Sequence, residues 1–245
     1  MRLLQELINS LKTDHSVTTG VVGPHLIAVQ SQRVGLAANL LSPMASGSVF
    51  SPEESGSLTG RNVRQLADWL LKDKWLDAGI GMAALNSVLH IDYESLADVN
   101  AKWIIADRAA GKNLVVVGHF PFVETLRSKV RNLWIMEKEP REGDLSEEEG
   151  YQVLAEADVV AITGSSLINH TFERIVSSCR LESFKIILGP STPLSPILFD
   201  SGIDAIGGAL VEDESRVLSM IEKGFPFRRL KGVRTVVMAK DAPVI

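Results

Sequence analysis

The sequence predicts an α/β protein in two parts: a small α+β unit, then a doubly wound, mostly parallel sheet. Three observations predict it. Short apolar runs broken by turn residues occupy residues 17–40, and helical stripes come after them. From about residue 100, apolar runs alternate with helical segments. Those later runs are continuous, the pattern of parallel strands covered on both faces.

Leu4, Leu7, Ile8 and Leu11 recur at helical spacing and define an amphipathic helix over residues 1–13. Val21-Val22, Leu26-Ile27-Ala28-Val29 and Val34 to Ala38 come next, punctuated by Gly23-Pro24 and Ser31-Gln32. This predicts a three-stranded antiparallel meander. Residues 42–60, rich in Ser, Gly and Pro, read as a long loop. Val63, Leu66, Ala67 and Leu70 form one helical stripe, and a second helix runs from about Asp77 to Leu89. Strands are then expected at Leu114–Val117, Leu133–Met136, Asp158–Ile162, Lys185–Leu188, Ala205–Ala209 and Thr235–Met238. Helices are expected at about 122–131, 147–157, 167–179, 193–201 and 214–223. Such alternation implies crossovers that wind both faces of one sheet. The polar patch Asp92-Tyr93-Glu94 marks the division, giving units of residues 1–95 and 96–245.

Composition narrows the function classes. The 245 residues are 45% hydrophobic and 22% charged, which argues against a disordered, collagenous or coiled-coil chain. A net charge of −5 offers no footprint for nucleic acid. The one basic cluster, Arg228-Arg229 with Lys231 and Arg234, reads as a solvated loop, with polyanion binding the lesser alternative. The single cysteine, Cys179, excludes an intramolecular disulfide and CxxC metal sites. It falls on a helical stripe with Ile175 and Val176 and reads as a core residue. No run approaches ~20 apolar residues, so no membrane partner is expected. A polar N-terminal stretch unlike a signal peptide points to the cytoplasm. A homodimer is the expectation from base rates.

In an open parallel α/β sheet, ligands bind beyond the C-terminal ends of the strands. The residues after each strand candidate therefore matter most. They are Gly118-His119-Phe120-Pro121, the acidic run Glu137 to Asp144, Thr163-Gly164-Ser165-Ser166 with Asn169, Gly189-Pro190-Ser191-Thr192-Pro193, and Gly207-Gly208. Small and hydroxyl residues thus gather at one sheet edge. Gly164-Ser165-Ser166 opens a helix and suits either an anion or a plain N-cap. Gly189-Pro190-Ser191 suits either a ligand wall or a stiff connection.

Nucleotide motifs are poorly represented. Gly118-His119-Phe120-Pro121 lacks the second and third glycines of GxGxxG, so NAD is not expected, although Glu137 lies 19 residues beyond Gly118. There is no GxxxxGK[ST] and no GxSxG. His119, with Glu137, Glu139 and Asp144 within reach on the next loop, is compatible with a borderline metal or with a structural histidine. Gly79 and Gly81 weaken a helix and signal close backbone approach or a helix start. Asn86, polar on an apolar helix, is open to two readings: packed against loop carbonyls, or facing a cleft between the units.

Taken in order, Gly81-Met82-Ala83-Ala84-Leu85-Asn86, Gly118-His119-Phe120-Pro121, Glu139-Pro140 with Gly143-Asp144, Ala157-Asp158 through Thr163-Gly164-Ser165-Ser166, Asn169-His170-Thr171 and Gly189-Pro190-Ser191-Thr192-Pro193 resemble a prokaryotic family of unknown function labelled for heavy-metal chelation. The resemblance spans essentially the whole chain. It implies an enolase-N-terminal-like domain followed by a Rossmann-like domain, with a site between them. It also implies ligand-binding roles for Asn86, Phe120, Thr163, Gly164, Ser165, Asn169, Gly189, Pro190 and Ser191, and metal-facing roles for His119 and Glu139.

The leading expectation is a protein that binds or processes a metal chelate or a metal-chelating small molecule, with a divalent or heavy metal ion involved. One alternative is a transferase or oxidoreductase using a nucleotide-type cofactor. Another is a non-catalytic accessory protein that binds a heterocycle.

Overall fold

The computed structural model describes residues 1–12, 15–41 and 57–240. The expected loop over 42–60 therefore falls largely outside the described residues. A short helix, α1 (Arg2–Asn9), opens the chain and buries Leu3, Leu4, Leu7 and Ile8. Strands β1 (Thr19–Val22), β2 (Leu26–Gln30) and β3 (Val34–Ala38) then form the antiparallel meander. Helix α2 (Val63–Ala67) runs into a 3₁₀ turn, and α3 (Trp75–Val88) comes after it.

Strands β2 and β3 are buried on both sides, which explains their continuous apolar runs. Leu26, Ala28, Val34 and Leu36 face Val217 and Ile221 of a later helix, α8 (Glu214–Glu222). The alternate residues Ile27, Val29 and Ala37 join the larger core with α3. Period-2 side-chain direction thus sorts one strand into two cores.

The second sheet has seven strands: β4 (Leu96–Ala97), β5 (Asn113–Val117), β6 (Asn132–Met136), β7 (Val159–Thr163), β8 (Phe184–Leu188), β9 (Ala205–Val211) and β10 (Val233–Ala239). Their order is β4-β10-β9-β8-β7-β5-β6. The five strands from β6 to β9 pair in parallel. Beyond β9, β10 and the edge strand β4 pair antiparallel. Val115, Val117, Val160, Ile162 and Ile187 point into the core shared with α3. Leu114, Val116, Val159, Ala161 and Ile186 point into the core under α4 (Ala101–Arg108). The fold is therefore mixed α/β, with a mostly parallel sheet beside a small antiparallel one.

Several elements differ from expectation. The segment expected as a helix over 122–131 is only a 3₁₀ turn at Val123–Leu126, and that over 193–201 is a 3₁₀ turn at Pro196–Ser201. Ser195 caps the second of these, and Pro196 at its start favours a tight first turn. The single helix expected over 167–179 is two, α6 (Ser165–Ile168) and α7 (Phe172–Ser178). They part at His170, whose φ of 61° breaks the helix and whose Nε2 lies 2.8 Å from the Leu70 carbonyl oxygen. Helix α4 and the two-residue strand β4 lie outside the expected elements. The remaining crossover helix, α5 (Glu147–Leu154), starts with a full capping box between Ser146 and Glu149.

Candidate functional site

The strand order places a topological switch between β5 and β7. From β5 the chain crosses to β6 on one side, then returns to β7 on the other. At such a point the connections leave in opposite directions and open a crevice at the C-terminal strand ends. Gly118 comes directly after β5 there, with φ +99°. A Cβ on it would lie 3.1 Å from Thr163 at the end of β7. Glycine thus lets the two strand ends approach without filling the crevice.

A cleft of about 500 Å³ opens over this switch. His119, Glu139, Thr163, Ser165 and Asn169, all expected at the site, line it. Around them stand Glu137, Lys138, Glu147 and Tyr151, and Asn39 comes from the end of the meander. The Ser165 N–H donates to Thr163 Oγ1 at 3.3 Å, holding that hydroxyl at the strand end. Asn169 Oδ1 accepts from the Thr171 N–H and hydroxyl, which fixes the amide plane. Trp75, at the start of α3, has the Lys138 ammonium 5.2 Å from its ring centroid.

His119 is oriented by a carboxylate. Its Nε2 lies 2.7 Å from Asp144 Oδ2, and the same oxygen accepts the Arg141 N–H at 2.8 Å. Burial pushes the Asp144 carboxyl up, but the Arg141 N–H and the His119 ring outweigh it and hold it below the usual carboxylate range. Asp144 therefore stays an anion that fixes the imidazole, leaving Nδ1 as the ring nitrogen for a ligand. Nearby, Tyr151 donates to Glu147 at 3.0 Å. Burial and then Glu147 push its phenol up to about 12, so it is a neutral hydrogen-bonding group.

The other expected residues lie elsewhere. Phe120, Gly189 and Pro190 line a second cavity, which also touches His119 and Thr163. Gly164 packs: its Cβ would come 2.5 Å from Thr192 Oγ1, and its N–H donates to the Leu188 carbonyl. Ser191 is buried, and its Oγ accepts the Ala38 N–H at 2.8 Å, tying the end of β3 to the β8–β9 connection. Asn86 donates to the Leu36 carbonyl at 2.9 Å and borders a separate gap of about 20 Å³. Among the described residues, no group of three His, Cys, Asp or Glu side chains is placed to hold a metal ion.

Glu147 and Tyr151 were missing from the expected set, and Asp144 was expected only as a carboxylate within reach of His119. A signal for two of them was present: Ser146-x-x-Glu149 is a capping box, which starts α5 and sets Glu147 and Tyr151 on one helix face. Asp144 could be placed near His119 but not paired with it, because the β6–α5 connection has no regular geometry to read from sequence.

Known proteins resemble the chain in sequence and in fold. A family model described as "Putative heavy-metal chelation", DUF364, matches residues 102–240. A second with the same description, DUF4213, matches residues 4–89. An uncharacterized protein of Methanocaldococcus jannaschii is 28% identical over 146 residues, covering 57% of this chain and 56% of that protein. The chain thus matches little more than half the length of that relative. A crystal structure of a DUF364-family protein of unknown function from Desulfitobacterium hafniense is 26% identical, with 98% of each chain covered and a TM-score of 0.83. Another, from Pyrococcus horikoshii, shares the fold at 18% identity, 98% coverage of each chain and a TM-score of 0.79. With the first model covering more than half of its length, the chain belongs to the DUF364 family, described by its heavy-metal chelation label.

Proposed function

We propose that the cleft over the β5–β7 switch binds a small metal chelate, or a chelating molecule that arrives with its metal. The observation that carries this reading is the His119–Asp144 pair at the switch, in a cleft rich in glutamate. A carboxylate on the far nitrogen is the usual support of a metal-facing histidine. Glu139, exposed on the same rim, is the second metal-facing group. Two such groups fall short of a closed protein site, so the metal's other ligands come from the chelator. Thr163, Ser165 and Asn169 would hydrogen-bond the chelator's polar atoms. Glu137, Glu139 and Glu147 favour a complex with net positive charge.

Equilibrium dialysis with Co²⁺, Ni²⁺ and Cu²⁺ tests this, each ion bare and as its mono-ethylenediamine complex. The expected result is saturable binding near one equivalent, with the complexes held at least as tightly as the bare ions. Binding no greater than a control protein's, for every ion and complex, would reject the reading.

A further inference from the structure

The second cavity, of about 600 Å³, shares His119 and Thr163 with the cleft and extends along β8, β9 and β10. Its volume is that of an ordinary small-molecule site. Its chemistry is the reverse of the cleft's. Among the described residues lining it there is no Asp or Glu, whereas three glutamates line the cleft. Phe120 and Phe122 form one wall as a stacked pair, with ring centroids 5.5 Å apart and planes at 25°. Phe227 stands in the 3₁₀ turn Phe227–Arg229 at the mouth. All three rings are half-buried. The cations at the rim are Lys102, at the start of α4, and Arg228 beside Phe227.

The two rim cations differ. Lys102 already lies 4.6 Å over the Trp103 ring. Arg228 makes no ion pair with any described residue, in contrast to Arg234 of the same basic cluster, which pairs with Glu212 at 2.6 Å. The cluster that reads in sequence as one solvated loop therefore divides in the fold. Arg234 is a structural pair, and Arg228 is a guanidinium beside an aromatic cavity.

We propose that this cavity is a second binding site, for a planar aromatic or heteroaromatic anion. The ring lies against Phe120 and Phe122, and the carboxylate or phosphate end is held by Arg228. Ring-on-ring contact selects a flat ligand, and a guanidinium forms its strongest hydrogen bonds to an oxyanion. The cavity's own lining supplies no negative charge to oppose it. The site does not depend on the metal reading of the cleft.

The test is calorimetric titration of the full chain with 2-naphthoate and with neutral 2-naphthalenemethanol. The wild type should bind naphthoate saturably and the alcohol about tenfold more weakly. Arg228→Gln, an exposed change that leaves the fold intact, should remove that preference. Phe122→Ala should weaken both ligands several-fold. Ser165→Ala, in the cleft, should change neither. The proposal is overturned by three results: naphthoate that does not saturate, an unchanged preference in Arg228→Gln, or loss of naphthoate binding in Ser165→Ala. The last would move the ligand to the cleft.

Discussion

Helix α3 with strand β3 and with the 3₁₀ turn before it, and the end of β5 with the end of β7, are two places where glycine and polar residues gather in this chain. They use those residues in opposite ways. At the first, backbone meets backbone. A Cβ on Gly35 would come 2.2 Å from the Ala83 carbonyl oxygen, and one on Gly81 would come 2.2 Å from the Leu70 nitrogen. Asn86 donates its amide to the Leu36 carbonyl, so that polar group is taken up within the contact. At the second, Gly118 brings two strand ends together and the hydroxyls of Thr163 and Ser165 stay at the edge of an open cleft. Residue type alone therefore does not mark a site. What marks one is whether the backbone around those residues leaves room.

The closed and open contacts differ in what mutation should do to them. The greatest loss belongs to the closed contact. Gly81→Val places side-chain atoms where the Leu70 backbone stands, which cannot give way as a flexible side chain would. Overpacking of this kind costs about 3 kcal/mol or more. The melting temperature followed by circular dichroism should fall by roughly 10 °C, or cooperative unfolding should vanish. A variant that melts like the wild type would show that the contact is not closed.

Next comes the open contact. His119→Ala should weaken nickel–ethylenediamine binding by about 10–100-fold, the range for loss of a metal ligand or its support, while the melting temperature moves little. Asp144→Asn should weaken it by about tenfold through the tilt and tautomer of the ring. The same variant can be read through pH. The Asp144 carboxyl is held below the usual range in the fold, so its stabilising contribution is present above the ordinary carboxylate range and is lost as pH falls through its lowered folded value. Acid melting curves of wild type and Asp144→Asn should therefore converge as that value is passed. Curves that stay parallel would show that the charge on Asp144 takes no part in stability.

Two neutral polar side chains give the mildest changes. Asn86→Ala removes a bond at the closed contact and should lower the melting temperature by about 2–4 °C with chelate affinity unchanged. Ser165→Ala removes a hydroxyl at the open one and should cost about fivefold in chelate affinity with an unchanged melting temperature. An exchange of these outcomes would invert the assignment of the two regions.

Much of this organisation was legible in the sequence because it rests on periodicity and turn chemistry. The meander is predicted by three apolar runs separated by Gly23-Pro24 and Ser31-Gln32, and the parallel strands by their continuous burial. The five polar residues that meet in the cleft were likewise legible, because they stand just past the C-terminal ends of strands. The features that stayed hidden depend on tertiary placement. Strand order, and so the switch between β5 and β7, is set by pairing across long separations. Gly164, Ser191 and Asn86 look like site residues in sequence. Only the fold shows that Thr192 crowds the first, that the Ala38 N–H occupies the second and that the Leu36 carbonyl occupies the third. The helix at Ala101–Arg108 was missed because its buried stripe is only Ala101, Ile104 and Ile105.

The functional proposal stands or falls on whether His119 and Glu139 face a metal carried by its own chelator. Calorimetry of nickel–ethylenediamine with the wild type, His119→Ala and Glu139→Gln under one buffer decides it. One saturable site is expected in the wild type, with at least a tenfold loss in His119→Ala and a smaller loss in Glu139→Gln, all three proteins melting alike. Equal affinity in all three would contradict the proposal, and so would the absence of a saturable site in the wild type.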